Sequence, residues 1–109
     1  MEMVRGDTFK FKFKRQTRDG KTITELPEKM YITFKYGNSN DFLFQKTLED
    51  GITFDGEYYH VVINPADTDK LRFKEYDYDI EIIRNGEPKT IKVDKINITK
   101  EVTFACNEV

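Results

Sequence analysis

The sequence predicts an all-β fold: an antiparallel β-sandwich or barrel of about seven to eight strands, with one short helical turn near 65–71. Three observations carry that expectation. Apolar residues recur with period two along most of the 109-residue chain, as strands require when one face meets a core and the other meets water. Asp-Gly and Asn-Gly dipeptides punctuate those runs at the spacing of hairpin turns. Helix-start signals occur at one place only.

The first strand is written most plainly. Phe9, Phe11 and Phe13 alternate with Lys10, Lys12 and Lys14, a spacing that a helix would scatter around its circumference. The same period recurs at Met30, Ile32, Phe34 and Tyr36, at Phe42 and Phe44, at Tyr59, Val61 and Ile63, and at Tyr76, Tyr78, Ile80 and Ile82. Shorter runs follow at Ile91 and Val93, Ile96 and Ile98, and Val102 and Phe104. Between Val93 and Ile96 the alternation slips by one residue, which predicts a β-bulge or bend at Asp94-Lys95. Asp19-Gly20, Asp50-Gly51, Asp55-Gly56 and Asn85-Gly86 supply turns, and Gly37-Asn38-Ser39-Asn40 a longer polar loop.

One hairpin can be aligned residue by residue. A two-residue turn at Asn85-Gly86 sets Arg84 opposite Glu87, Ile82 opposite Lys89, Ile80 opposite Ile91 and Tyr78 opposite Val93. On the other face Glu81 meets Thr90 and Asp79 meets Lys92, the latter an opposite-charge pair that favours this register. Pro88 falls opposite Ile83 in a non-hydrogen-bonded pair, where its missing N–H costs the ladder nothing. The helical turn rests on Asn64 as N-cap, Pro65 at the first helical position and acidic Asp67 and Asp69 near its positive end. Leu71 followed by Tyr76-Asp77-Tyr78 matches the corner before the penultimate strand of immunoglobulin-like sandwiches, where a tyrosine hydroxyl closes the loop onto the backbone.

Size and composition bound the function. A chain of this length is expected to form one domain over 1–109, burying roughly 65% of its unfolded surface, and nine Phe with six Tyr suffice for one core. Eighteen Lys plus Arg against 20 Asp plus Glu leave no dominant basic face for a polyphosphate backbone, so nucleic acid is not an expected partner. With one Cys and one His, neither an internal disulfide nor a Cys-rich zinc site can be built. No run is long and apolar enough for a membrane span, and the first residues lack the apolar stretch of a signal peptide, so a cytoplasmic, soluble protein is expected.

The chemistry-bearing residues point away from catalysis. Ser39 sits in a polar loop without a nucleophile elbow. His60 has no activated nucleophile or orienting partner that can be placed from sequence. Cys106, near the end of the sequence, lacks a helix N-terminus or basic cluster to activate its thiol. No catalytic, cofactor-binding or metal-binding residue is expected. Asp77, Asp79 and Glu81 line one strand face, but a strand offers none of the loop carbonyls that complete a calcium site, so the row reads as a solvated face. Arg5-Gly6-Asp7 reads as a turn rather than an adhesive tripeptide, and Asn97-Ile98-Thr99 as an idle sequon. Lys10, Lys12 and Lys14, extended by Arg15 and Arg18, read as the wet face of an edge strand, although an acidic partner surface is also open to them. Among Tyr31, Tyr36, Tyr58, Phe42 and Phe44, most are expected in the core. Tyr31 and Tyr58 fall on polar-facing positions and are the candidate exposed aromatics for a sugar platform.

The order of segments resembles a known family. Arg5-Gly6-Asp7-Thr8 runs into an alternating strand, followed by the Asp19-Gly20 loop, Ile23-Thr24-Glu25-Leu26, the strand from Met30 to Tyr36, and Phe44-Gln45-Lys46-Thr47. Asp67-Thr68, Leu71 and Tyr76-Asp77-Tyr78-Asp79-Ile80 complete it. This is similar to the small immunoglobulin-like β-sandwich of tailed bacteriophages and prophages, including the N-terminal domain of upper baseplate proteins, over about Arg5 to Thr103. The resemblance implies a non-catalytic virion or assembly module, without cofactors, that docks to other phage structural proteins. It would reside in the host cytoplasm during assembly and then in the tail or baseplate. Baseplate proteins usually continue into longer stalk segments, which this sequence lacks, so head-tail, tail-accessory and unassigned prophage roles stay open. The expected subunit contact is the first strand (Thr8, Lys10, Lys12 and Lys14) or the terminal pair Val102 and Phe104, with self-association a further option. The competing expectation is a carbohydrate-binding module that touches host cell-wall glycans.

Overall fold

The computed structural model describes residues 1–37 and 42–100. Eight strands run in chain order: β1 (Glu2–Val4), β2 (Phe9–Phe13), β3 (Lys29–Lys35), β4 (Phe44–Leu48), β5 (Gly51–Phe54), β6 (Tyr59–Ile63), β7 (Glu75–Arg84) and β8 (Glu87–Thr99). A short helical turn, α1 (Pro65–Thr68), separates β6 from β7. The fold is all-β, as the alternation requires.

The strands join in one sheet of order β1-β8-β7-β3-β4-β5-β6-β2. The expectation of a purely antiparallel sandwich is refined here, because β1 lies parallel to β8 and β4 is registered parallel to β5. The second pairing is a corner. Only Glu49 and Asp50 separate β4 from β5, far fewer than the dozen or so residues of a parallel crossover, and positive φ at Glu49 (70°) and Gly51 (98°) wraps the chain there. Through that corner the layer β5-β6-β2 stays hydrogen-bonded to the layer containing β3, β7 and β8. The sheet also curls until the Phe11 ring on β2 lies 6.4 Å from the Tyr78 ring on β7, strands far apart in the order. The result is barrel-like.

Inward positions on every long strand feed one core. Met30, Ile32 and Phe34 of β3 meet Tyr76, Tyr78, Ile80 and Ile82 of β7, with Ile52, Tyr59, Val61 and Ile63 opposite. Aromatic stacking orders this interior: Phe34 stacks on Phe44 at 4.3 Å, and Tyr59 lies between Phe54 at 4.5 Å and Phe13 at 5.2 Å. Such pairs add about 0.5–1.5 kcal/mol each beyond their buried area.

The β7–β8 hairpin confirms half of its aligned register. Asn85 (φ 51°) and Gly86 (φ 77°) adopt the paired positive φ of the expected two-residue turn, and Arg84–Glu87, Ile83–Pro88, Ile82–Lys89 and Glu81–Thr90 pair as read. The bulge comes earlier than expected: the register shifts between Ile80 and Glu81, leaving Ile91 as the extra residue, so Ile80 faces Lys92, Asp79 faces Val93 and Tyr78 faces Asp94. The displaced phase has a packing reason. It turns Ile96 and Ile98 inward, 1% and 2% exposed, at the expense of a single Val93, 73% exposed. The segments at Ile91 and Ile96 are thus one continuous strand.

The remaining elements divide similarly. α1 forms at Pro65 behind Asn64, whose N–H donates to the Asp67 carboxylate at 2.7 Å. The Tyr76 hydroxyl donates to the Arg72 carbonyl at 3.0 Å, the loop closure expected of the tyrosine. Two strands escaped the alternation pattern, β1 and β5. The Val102 and Phe104 run, Ser39 and Cys106 lie outside the described residues.

Candidate functional site

Strand order decides where backbone is available to another chain. β2 terminates the sheet on one side, as its lysine stripe suggested. On the other side β1 pairs with β8 only at Asn97, Ile98 and Thr99, so no described strand covers the outer edge of β8 from Glu87 to Ile96. An uncovered edge presents a row of amides and carbonyls ready for a further strand. Both free edges border one groove.

That groove has a volume of about 790 Å³ and lies between the end of β2 and the β7–β8 hairpin. Phe13, Ile23, Ile80, Ile82 and Ile91 supply its apolar lining. Lys14, Arg15, Arg84, Lys89 and Lys92 add five cationic side chains, against the single carboxylate of Glu87. Lys14 reaches Glu57 at 3.7 Å and Lys92 reaches Asp94 at 3.8 Å. Among the described residues Arg84 and Lys89 have no ion-pair partner. Arg15 is nearly buried and donates to the Glu25 carbonyl at 3.2 Å. The chemistry on offer is an apolar floor, a basic rim and unpaired strand backbone.

Of the sequence candidates, Lys14 lines the groove, while Lys10 and Lys12 are exposed along β2 and Thr8 precedes it. Lys12 also lies over the Tyr58 ring, 4.3 Å from its centroid, with Lys14 at 5.3 Å. Tyr58 and Tyr31 are half-buried. The more exposed rings are Tyr36 (55%), Phe42 (55%) and Phe73 (47%). Tyr36 continued the inward alternation of Met30, Ile32 and Phe34, but it lies one residue beyond the end of β3 and is exposed. Lys74 sits 4.0 Å from the Tyr36 centroid and Arg5 4.1 Å from that of Phe73.

His60 has an orienting partner that sequence reading did not place. Its Nε2 lies 2.7 Å from Asp55 Oδ2, while Asp55 Oδ1 accepts the N–H groups of Glu57 at 2.8 Å and Tyr58 at 2.7 Å. The His60 hydrogen bond first, then these two amides, hold the Asp55 carboxyl far below the usual carboxylate range. Three bonds from one carboxylate tie the β5–β6 turn together.

Two members of the acidic row, Asp77 and Asp79, are paired, though with other lysines than expected. Asp77 binds Lys95 at 2.8 Å, Asp79 lies 3.7 Å from Lys35, and Lys95 also approaches Glu75 at 3.9 Å. The Asp77 hydrogen bond is the main cause of a raised Lys95 pKa. The bulge explains the exchange, because it moves Lys92 away from Asp79. Arg5 of the Arg-Gly-Asp turn donates to the Leu71 carbonyl at 3.2 Å, and the Gly6 N–H to Thr68 Oγ1 at 3.1 Å, which fixes the tripeptide to α1.

One ion pair with a buried lysine had no sequence signal. Lys46, 7% exposed, extends from β4 to Asp67 of α1 at 2.6 Å. It joins the helical turn to the sheet.

These features define an all-β protein with a basic, edge-lined groove. Among the described residues no helix is long and apolar enough to cross a membrane. No protein-family model matches the chain, and no curated protein is significantly similar to it.

Proposed function

We propose that this chain is a non-catalytic assembly module of a tailed bacteriophage or prophage, docking to other virion subunits through its sheet edges and loops. The observation that carries the reading is the pair of free edges, β2 and the first half of β8, flanking one groove. Edge strands of this kind recruit partners by adding a strand, with main-chain hydrogen bonds giving affinity and pockets for alternate side chains giving specificity. In a symmetric tail, several weak edge contacts would act together. The order of segments described above, similar to phage immunoglobulin-like sandwiches, supplies the virion context.

The test combines the purified chain with proteins encoded beside its gene. The expected result is a complex with a tail or baseplate protein in which amides of β2 or of Lys89–Asp94 become protected from hydrogen exchange. Protection confined to other surfaces, or a gene set among metabolic enzymes with no binding to any neighbour product, would overturn the reading.

A second reading, glycan binding, draws on the exposed rings Tyr36, Phe42 and Phe73. It is weaker because Lys74 and Arg5 already occupy one face of Tyr36 and Phe73. A glycan array with the wild-type protein decides it, with binding that disappears in Tyr36→Ala as the outcome that would revive it.

A further inference from the structure

We propose that the groove beside β8 accepts residues 101–106 of a second copy of this chain as an added strand. The inference rests on the edge-docking reading above and commits it to a particular occupant.

Complementarity of pattern comes first. Residues 101–109 read Glu-Val-Thr-Phe-Ala-Cys-Asn-Glu-Val, so in an extended conformation Val102, Phe104 and Cys106 share one side. The groove offers that side an apolar floor of Phe13, Ile80, Ile82 and Ile91. Charge agrees as well. The segment carries Glu101 and Glu108 and no basic residue, while Arg84 and Lys89 on the rim have no described carboxylate partner. Backbone is available because no described strand pairs with β8 between Glu87 and Ile96.

Reach then decides between the same chain and another. Thr99 is seven residues beyond Lys92, the last groove residue on β8, a span of about 23 Å along a strand. Doubling back from Thr99, Val102 covers at most about 11 Å and Phe104 about 18 Å. Neither reaches its own groove, and β1 already occupies the edge at Asn97–Thr99. A second copy has no such restriction. The contact is therefore heterologous, one molecule's segment in the next molecule's groove, and such contacts build rings when the rotation closes and filaments when it does not.

The experiment uses the full chain in sedimentation velocity from about 10 μM to about 1 mM, the range of weak assembly contacts. Concentration-dependent association is expected, weakened about tenfold or more by Phe104→Asp, as for a central apolar anchor. Lys89→Glu should weaken it similarly, and adding Glu101→Lys to Lys89→Glu should restore it, an outcome that a folding defect cannot produce. A wild-type chain that stays monomeric throughout, or that associates equally well with Phe104→Asp, overturns the proposal. Hydrogen exchange separates this failure from failure of the broader reading. If Lys89–Asp94 become protected by a neighbour gene product while the chain alone is monomeric, self-docking is wrong and edge docking stands.

Discussion

Replacing Tyr59 by Phe is expected to stabilise the protein. Tyr59 is fully buried, its ring held between Phe13 and Phe54, and its hydroxyl has no hydrogen-bond partner among the described residues. A buried hydroxyl left unpaired costs about 1–3 kcal/mol relative to its hydrated state in the unfolded chain. Tyr59→Phe removes that cost and keeps both ring stacks. Against the gain stands the loss of one oxygen atom's dispersion contacts, each about 0.1–0.2 kcal/mol, for roughly half a kcal/mol altogether. The net expectation is a gain of about 1 kcal/mol, equivalent to a rise in Tm of about 4–8 °C for a domain of this size. Urea denaturation measures it directly, with an unchanged m-value required for the comparison to hold. Destabilisation by Tyr59→Phe would show that the hydroxyl makes a favourable bond in solution, and the reasoning would fail. Tyr59→Leu serves as the contrast, losing the stacks as well and costing about 2 kcal/mol or more.

Three further outcomes follow from particular contacts. Gly51→Ala should cost about 2 kcal/mol in thermal unfolding, because φ is 98° and the added Cβ would lie 2.5 Å from Lys46 Cδ; Gly56→Ala, at φ 103° in open space, should cost only about 1 kcal/mol. Lys46→Met keeps the aliphatic stem but leaves the half-buried Asp67 carboxylate with the Asn64 N–H as its remaining partner, and should destabilise by about 1 kcal/mol in the same assay. The depressed Asp55 pKa means that its ionised form contributes stability above its ordinary value of 3.8, and that this contribution is lost as pH falls through the lower folded value. His60→Ala should raise the Asp55 midpoint in a carboxyl NMR titration, only partly, since the Glu57 and Tyr58 amides remain; an unmoved midpoint would sever the link.

What the sequence revealed and what it concealed divide along physical lines. Side-chain alternation reports local backbone geometry, so β2, β3, β6 and β7 were legible, and Asn85-Gly86 announced its own turn because few residues tolerate two successive positive φ values. β1 and β5 were hidden because three and four residues are too few to establish a period. The slip in β8 was visible, but its position was not. Ile91 is apolar and fits the inward pattern, so only the three-dimensional register shows that it is the residue squeezed out. Phe42 continued the phase of Phe44, yet it lies before β4 begins and is exposed. Long-range pairings left no local trace: Lys46 with Asp67 and His60 with Asp55 depend on which strands become neighbours. The groove was illegible for the same reason, since its basic rim combines residues near 14 and near 89.

The bulge at Ile91 connects the core to the proposed edge contact. A regular ladder through Ile91 would have left Ile96 and Ile98 facing water, an outcome worth several kcal/mol of lost burial at about 1.5–3 kcal/mol for each side chain. The core therefore selects the bulge. A bulge also bends and twists its strand locally, and here it sits within the part of β8 that β1 leaves uncovered. Natural edges are usually blunted by short strands, charge, proline or bulges. This edge carries Pro88, the bulge and a basic rim, devices that discourage indiscriminate pairing. Proline removes one donor and the bulge interrupts the ladder, so a strand of arbitrary register gains little. In the proposed contact, a partner would have to match the offset and bring acidic residues alongside apolar ones. The same features that protect the edge from aggregation thus favour a selective edge contact over a general one.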